Sequence, residues 1–339
     1  MRRPHLPGVR LPEGQVREHE VFGQGLSGRF PMNEKNSRVL QKASPILGEG
    51  PVWDARHDAL FWIDVEGAAI HRHLITGGVL DEEAMANGSH ASWSMPSAIG
   101  AIATTRNSGR LVVALEHEGI CLFDPEDASL EPIADPVASC GMAGIAGRYN
   151  DGFVDPLGNF WVGWLTHDRK RPGALFRIDS GGGAKKVLDD LVAPNGIGWS
   201  SDGAMIYVTD SSTNTIWVHD CDLETATLGK GSILARQPRS RGIFDGLCID
   251  ENGHVYSALY GGGAVVRISP SGEELQRIRV PASLVTSCCF AGRDLKTLVI
   301  TSAVRNQGAL ELEKYPLSGS LFYLPLAGAG MPANDFIYG

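Results

Sequence analysis

A turn followed by a β-rich run recurs six times along the chain, and this repeat limits the folds that the sequence can adopt. The copies start roughly 40 to 55 residues apart, as expected when one repeat is a four-stranded propeller blade. They lie at 53–64, 107–114, 155–163, 201–210, 250–258 and 292–301. Since almost no segment has helical periodicity, the repeat predicts an all-β, six-bladed β-propeller with four-stranded blades.

The start of the chain departs from this pattern. Residues 1–35 are rich in Gly, Pro, Arg and Glu and lack periodicity, which predicts an irregular N-terminal extension. Residues 36–339 are predicted to form one propeller domain. Within that domain, the β-rich segment 37–42 is predicted to pair with the last blade, so that an N-terminal strand closes the ring.

Charge and composition narrow the range of partners. A net charge of −9 disfavours a nucleic-acid partner held through phosphate contacts. Neither an apolar signal segment nor a stretch long enough to cross a bilayer is present, so no membrane association is expected. Six cysteines without a CxxC pair fit free thiols in a reducing compartment, and the expected location is cytoplasmic. Nothing in the sequence indicates an oligomeric state.

Three oxygen-bearing residues share one local pattern. Glu49, Asn195 and Asp245 are each followed by glycine and then by an apolar strand. If they meet at one mouth of the propeller, two carboxylates and an amide carbonyl can hold a divalent cation. Asn-Gly and Asp-Gly are also common turn dipeptides, so each residue taken alone fits a turn as well.

A fourth polar segment lies at 147–155. Arg148 and Asn150 point to the same face if the segment is extended, because strand side chains alternate. A guanidinium beside an amide can hydrogen-bond several hydroxyls or a carbonyl of a polar ligand. The alternative is an ordinary surface arginine followed by a turn asparagine.

These motifs together resemble the gluconolactonase and senescence-marker-protein (regucalcin) family of six-bladed propeller lactonases. The resemblance covers nearly everything after residue 35, and the matching segments are 47–53, 148–152, 155–161, 194–196, 245–250 and 286–290. It implies that Glu49, Asn195 and Asp245 are metal ligands and that Asp245 is also the general base. It further implies that Asn150 reaches the metal or the substrate and that Arg148 contacts substrate oxygens.

One segment departs from the family pattern. The chain reads Gly163-Trp164-Leu165 where the family usually has Gly-Thr-Met, and we expect these larger side chains to change the rim of the site. Asp168 is predicted to lie where some relatives have an acid that contacts the substrate.

The resulting prediction is a metal-dependent hydrolase that opens a sugar acid lactone such as a glucono-, xylono- or arabinonolactone. The cofactor is one divalent ion, and calcium, zinc, manganese, magnesium and iron(II) all tolerate such ligands. Two alternatives remain open at this point. One is a metal-dependent arylesterase or organophosphate hydrolase, which an apolar rim would favour. The other is a calcium-binding propeller without turnover.

Overall fold

Six β-sheets follow one another in the computed structural model, which describes residues 35–43, 45–75, 77–106 and 108–339. Each sheet is one blade, and its strands pair antiparallel except for Lys35–Asn36 in blade 5. We call the first strand of each blade its inner strand. The inner strands of neighbouring blades contact each other all the way round the ring. The predicted all-β, six-bladed propeller is therefore confirmed.

Blades 1 to 3 each contain four consecutive strands. The strands of blade 1 are Gly48–Asp54, Ala59–Asp64, Ala69–Leu74 and Ser89–Ser94. Those of blade 2 are Ile99–Thr104, Leu111–Leu115, Gly119–Phe123 and Leu130–Ala134. Those of blade 3 are Gly147–Val154, Phe160–Thr166, Ala174–Ile178 and Ala184–Leu188.

Blades 4 to 6 vary this plan at their outer edges. The strands of blade 4 are Pro194–Trp199, Met205–Asp210, Thr215–Asp222, Thr227–Leu228 and Ser232–Arg236. Those of blade 5 are Ile243–Ile249, Val255–Tyr260, Ala264–Ile268, Glu274–Arg279 and Lys35–Asn36. Those of blade 6 are Val285–Ala291, Thr297–Ser302, Leu321–Pro325 and Arg38–Gln41.

The N-terminal segment closes the ring as predicted. Arg38–Gln41 pairs antiparallel with Leu321–Pro325 and forms the outer strand of blade 6. Just before it, Lys35–Asn36 pairs parallel with Glu274–Arg279 in blade 5, so the segment links two blades. The predicted irregular extension over residues 1–35 lies, apart from Lys35, outside the described residues and stays a prediction.

Helices are few and short among the described residues. They are Glu82–Asn87, Pro136–Ser139, Ala309–Lys314 and the 3-10 turn Arg239–Arg241. No helix in this part of the chain has the length and apolar character needed to span a bilayer.

Six clusters of buried apolar side chains separate the blades, one at each interface between neighbours. At the interface of blades 3 and 4, for example, Trp161 and Trp199 meet edge to face with centroids 5.4 Å apart. The middle strands are covered on both faces, and every residue of Ala59–Asp64 is buried. Burial on both faces explains why the sequence shows continuous apolar runs instead of strict alternation.

Asp155 organises the turn between the first two strands of blade 3. Its fully buried carboxylate accepts hydrogen bonds from the backbone amides of Leu157 and Asn159, both at 2.9 Å, and from Trp161 Nε1 at 2.7 Å. We expect Asp155→Ala to lower the free energy of unfolding by about 3 kcal/mol, because buried donors lose their acceptor. Urea unfolding followed by tryptophan fluorescence measures the change.

Asp179 supplies a matched control in the same blade. Its carboxylate also accepts two backbone amides, from Gly181 at 3.0 Å and Gly183 at 2.8 Å, but in an exposed hairpin. Asp179→Ala should lower the free energy of unfolding by less than about 1 kcal/mol, because water replaces the lost acceptor. Equal losses in the two variants would contradict the role given to Asp155.

Candidate active site

The predicted metal ligands lie where the inner strands are irregular. In all six inner strands the pairing register with the second strand shifts, and the shifts fall at Glu49/Val52, Ile99/Ala101, Asn150/Gly152, Pro194/Ile197, Phe244/Leu247 and Val285/Cys288. A β-bulge interrupts the alternation of side chains and re-aims one of them. Glu49, Asn195 and Asp245 lie at these shifts in blades 1, 4 and 5.

The glycine after each candidate ligand has a steric reason. Gly50 has φ +50°, a left-handed conformation that favours glycine. A Cβ on Gly196 would lie 2.7 Å from the carbonyl oxygen of Asp245, and one on Gly246 would lie 2.2 Å from Ser287 Oγ. Glycine thus lets the inner strands of blades 4, 5 and 6 approach closely beside the candidate ligands.

One cavity of about 330 Å³ brings the predicted residues together. Glu49, Asn195, Asp245, Arg148 and Asn150 all line it. The Asn195 side-chain amide donates a hydrogen bond to Asp245 Oδ1, so these two side chains from blades 4 and 5 are in direct contact. Side chains from distant stretches of sequence therefore share one space.

The oxygen atoms in this cavity fit a hard divalent cation. Asn195 Oδ1 is buried without a hydrogen-bond partner, which is costly unless something binds it. Asn150 Nδ2 donates to the carbonyl oxygen of Pro194 at 2.8 Å, which fixes the amide and leaves Oδ1 as a free acceptor. No group of three or more His, Cys, Asp or Glu side chains in the described chain is arranged to hold a metal. A cation here would therefore need amide oxygens beside Glu49 and Asp245.

The carboxyl groups of the cavity destabilise one another's charge. Burial raises the pKa of Glu49 well above its usual value, and the charges of Asp245 and Asp151 raise it further. Burial and, to a smaller extent, the charge of Asp151 also raise the pKa of Asp245 well above its usual value. The pKa of Asp151 itself is raised to about 6 by burial. A bound cation would stabilise three acids crowded in this way.

Two buried acids, Asp64 and Asp210, fix the segments that precede the candidate ligands Glu49 and Asn195. Asp64 accepts hydrogen bonds from the backbone amides of Ile46 at 2.9 Å and Leu47 at 3.0 Å, just before Glu49. Asp210 accepts from the amide of Ala193 at 3.0 Å, just before Asn195. Each carboxylate ends the second strand of its blade and fixes where the inner strand begins.

Asp168 is placed differently from the other predicted site residues, because it does not line the cavity. Its carboxylate accepts hydrogen bonds from the backbone amide of Lys170 and from Thr166 Oγ1, both at 3.0 Å. These bonds lower the pKa of Asp168 to about 2 in an exposed turn. A substrate contact through Asp168 stays a prediction, and its neighbour Arg169 lines the cavity instead.

The larger residues that replace the family's Thr-Met do not form the rim of this cavity. Trp164 and Leu165 are 1% and 2% exposed, and neither lines the cavity. Trp164 packs in the cluster between blades 2 and 3. These two residues therefore do not supply the apolar rim expected from them, and they no longer argue for the arylesterase alternative.

Several lining residues were not predicted from the sequence. They are Arg169, Ser211, Ser212, Arg239, Tyr260 and Arg305. Most lie in connections between strands, where no periodicity indicates which side chains face the channel. Asp151 was also missed, although it directly follows Asn150 in the motif.

The sequence of the chain matches a known protein family. The sequence pattern described as SMP-30/Gluconolactonase/LRE-like region matches residues 47–304. The 6-deoxy-6-sulfogluconolactonase of Pseudomonas putida is 35% identical over 293 residues, which cover 86% of this chain and 94% of that protein. The pentonolactonase of Haloferax volcanii is 30% identical over 291 residues, covering 84% and 93%.

A solved structure supports the same relation. The crystal structure of a calcium-binding protein, regucalcin, from Agrobacterium tumefaciens superposes with a TM-score of 0.80 at 26% identity. The match covers 89% of this chain and 98% of that one. The chain belongs to the SMP-30/gluconolactonase/LRE-like family.

Proposed function

We propose that the protein is a metal-dependent lactonase that hydrolyses a sugar acid lactone to the open aldonic acid. The observation that carries the proposal is the convergence of Glu49, Asn195 and Asp245 on one cavity that Arg148 and Asn150 also line. The relatives support the substrate class, since two of them are named as lactonases of a sulfogluconolactone and of pentonolactones.

Glu49, Asn195 and Asp245 would hold the cation, with Asn150 Oδ1 as a further oxygen donor. Bound at these oxygens, a divalent cation would polarise a lactone carbonyl and lower the pKa of water, which would suit ester hydrolysis near neutral pH. Calcium, manganese, zinc, magnesium and iron(II) all fit a set of two carboxylates and amide oxygens.

The reaction then depends on one proton and on the orientation of the ring. Asp245 Oδ1 accepts from Asn195, so Oδ2 is the atom that takes the proton of the attacking water. The same proton passes to the ring oxygen as the carbon–oxygen bond breaks, which gives a carboxylic acid and a free hydroxyl. Arg148 donates to Tyr149 O at 2.9 Å, which leaves further donors for the sugar hydroxyls.

Calcium binding without turnover is the second candidate, because the superposed regucalcin is described as a calcium-binding protein. The cavity differs from a simple calcium site in one respect. Beside the oxygen donors lies the cationic side chain of Arg148, which repels a metal ion but can bind substrate oxygens. This arrangement favours the enzyme over the pure binder.

Acid release from a panel of substrates tests the proposal. The panel contains glucono-, xylono- and arabinonolactone beside phenyl acetate, with metal-free, calcium-, manganese-, magnesium-, iron(II)- and zinc-loaded protein and an enzyme-free baseline for spontaneous opening. We expect lactone hydrolysis to disappear on chelation and to return with at least one metal. Turnover that persists in protein shown to be metal-free would contradict metal dependence. Calcium binding without turnover of any lactone would favour the binder.

A further inference from the structure

Four arginines line the cavity beside only two lining carboxylates among the described residues. Arg148 lies on the inner strand of blade 3, and Arg169 lies in the connection that follows the second strand of that blade. Arg239 lies in the 3-10 turn between blades 4 and 5. Arg305 follows the second strand of blade 6. Connections of three blades thus bring guanidinium groups to one mouth of a protein whose net charge is −9.

Three of these arginines, Arg148, Arg169 and Arg239, form no ion pair with an acid in the part of the chain that the structure describes. Arg305 is paired with Glu66, with Nε and Oε1 2.6 Å apart. Arg239 donates only to backbone carbonyls, those of Ser211 at 3.2 Å and Ser212 at 2.8 Å. Both bonds come from Nη2 of Arg239 and hold its guanidinium group at the mouth of the cavity. Within the same described residues, the Arg169 side chain forms neither a hydrogen bond nor an ion pair.

Three of the four arginines, Arg148, Arg169 and Arg305, are close enough to weaken one another's charge. The pKa of Arg148 is lowered to about 10 by burial and by the charges of Arg169 and Arg305. The pKa of Arg169 is lowered by burial and by Arg305. Gathering like charges in this way is unfavourable in the free protein, and an anion bound in the cavity that all four arginines line would relieve the repulsion. Two forked guanidinium groups suit an oxyanion with several acceptor oxygens.

We infer that the substrate lactone carries a second, strongly acidic group, a sulfonate or a phosphate, and that Arg169 and Arg239 bind it. The inference rests on the proposed function, because it fixes which end of the lactone faces inward. The carbonyl lies at Glu49, Asn195 and Asp245, where the new carboxylate also forms. The arginines at the mouth are therefore left for an anion elsewhere on the sugar.

Matched lactones test this inference. The probes are glucono-1,5-lactone, its 6-phosphate and its 6-deoxy-6-sulfonate. We expect the metal-loaded protein to favour a charged lactone by roughly tenfold or more in kcat/KM, and this preference to shrink as salt is added. Arg169→Gln and Arg239→Gln should each lower kcat/KM for the charged lactone roughly 10- to 100-fold, because a charge-assisted hydrogen bond is lost. The neutral lactone should change less than about twofold. The better of the two charged probes identifies the acidic group.

Arg110→Gln is the matched control. Arg110 is paired with Asp124 and Glu131 on blade 2 and does not line the cavity. Its replacement should therefore leave kcat/KM unchanged for every substrate. Equal rates with neutral and charged lactones, or equal losses on both in the arginine variants, would overturn the inference and leave the lactonase proposal standing.

Calorimetry covers the case in which no lactone is turned over, which would contradict the proposed function. Wild-type protein should bind 6-phosphogluconate or 6-deoxy-6-sulfogluconate more tightly than gluconate, and Arg169→Gln should remove the difference. Equal binding of charged and neutral acids would overturn the inference by a measurement that needs no catalysis.

Discussion

Asp245→Asn is expected to lower kcat/KM for lactone hydrolysis by about 10³-fold and to leave the protein folded. A general base typically contributes 10²- to 10⁴-fold, and asparagine cannot take a proton from water. The change keeps the shape of a side chain that is 6% exposed and removes a charge that burial already disfavours. Steady-state kinetics with saturating metal, together with thermal unfolding, measures both effects.

Asp250→Asn is the matched control. Asp250 directly follows the inner strand Ile243–Ile249, which contains Asp245 near its start. Its buried carboxylate pairs with Arg267 at 3.0 Å and accepts from the backbone amide of His254 at 2.9 Å. This variant should lose stability, yet its folded fraction should keep its turnover. If Asp245→Asn retains more than about a tenth of the wild-type kcat/KM, Asp245 is not the base.

The fold could be predicted from the sequence because every blade has the same pattern of buried strands and turns. Strands covered on both faces require continuous apolar runs such as Ala59–Asp64, and six such units at regular spacing leave few architectures. The closing strand Arg38–Gln41 was also predicted, because a β-rich segment that precedes the first blade can pair with the last blade. The additional parallel strand Lys35–Asn36 has only two residues and was not predicted.

The part of the site that the sequence indicated lies on the inner strands. Glu49, Asn195 and Asp245 could be found because a glycine follows each of them at equivalent blade positions. Asp151 was missed because strict alternation points it away from Asn150. The register shift between Asn150 and Gly152, with φ +49° at Asp151, instead brings its charge close to Glu49 and Asp245.

The arginines at the mouth could not be found by the same reasoning. Arg169 and Asp168 are neighbours in one turn. The prediction named Asp168 and did not name Arg169, which lines the cavity. Arg169 has φ +51°, a conformation that residue types other than glycine rarely adopt and that no sequence pattern here indicated. Which loop side chains face a ligand thus depends on backbone geometry that periodicity does not encode.

Glu49→Gln is expected to change stability in opposite directions without and with metal. In the metal-free protein the pKa values of Glu49 and Asp245 are raised well above their usual values, and that of Asp151 is raised to about 6. A folded protein that binds protons more tightly than the unfolded chain loses stability as pH rises through these values. Removing one carboxyl should therefore stabilise the metal-free protein at pH 8 and have little effect near pH 4.

With metal the order should reverse, because the same carboxyl is a proposed ligand. A cation at 100 times its dissociation constant adds about 2.7 kcal/mol to the stability of the wild type, and Glu49→Gln should lose most of this gain. Thermal unfolding at pH 4 and 8, with chelator and with each metal, measures both effects. The exposed Glu131 gives the control variant Glu131→Gln, which should show neither effect. If metal stabilises the Glu49→Gln variant as much as the wild type, the cation is not bound at Glu49. If the variant is less stable than the wild type without metal at pH 8, the Glu49 carboxylate is not under repulsion.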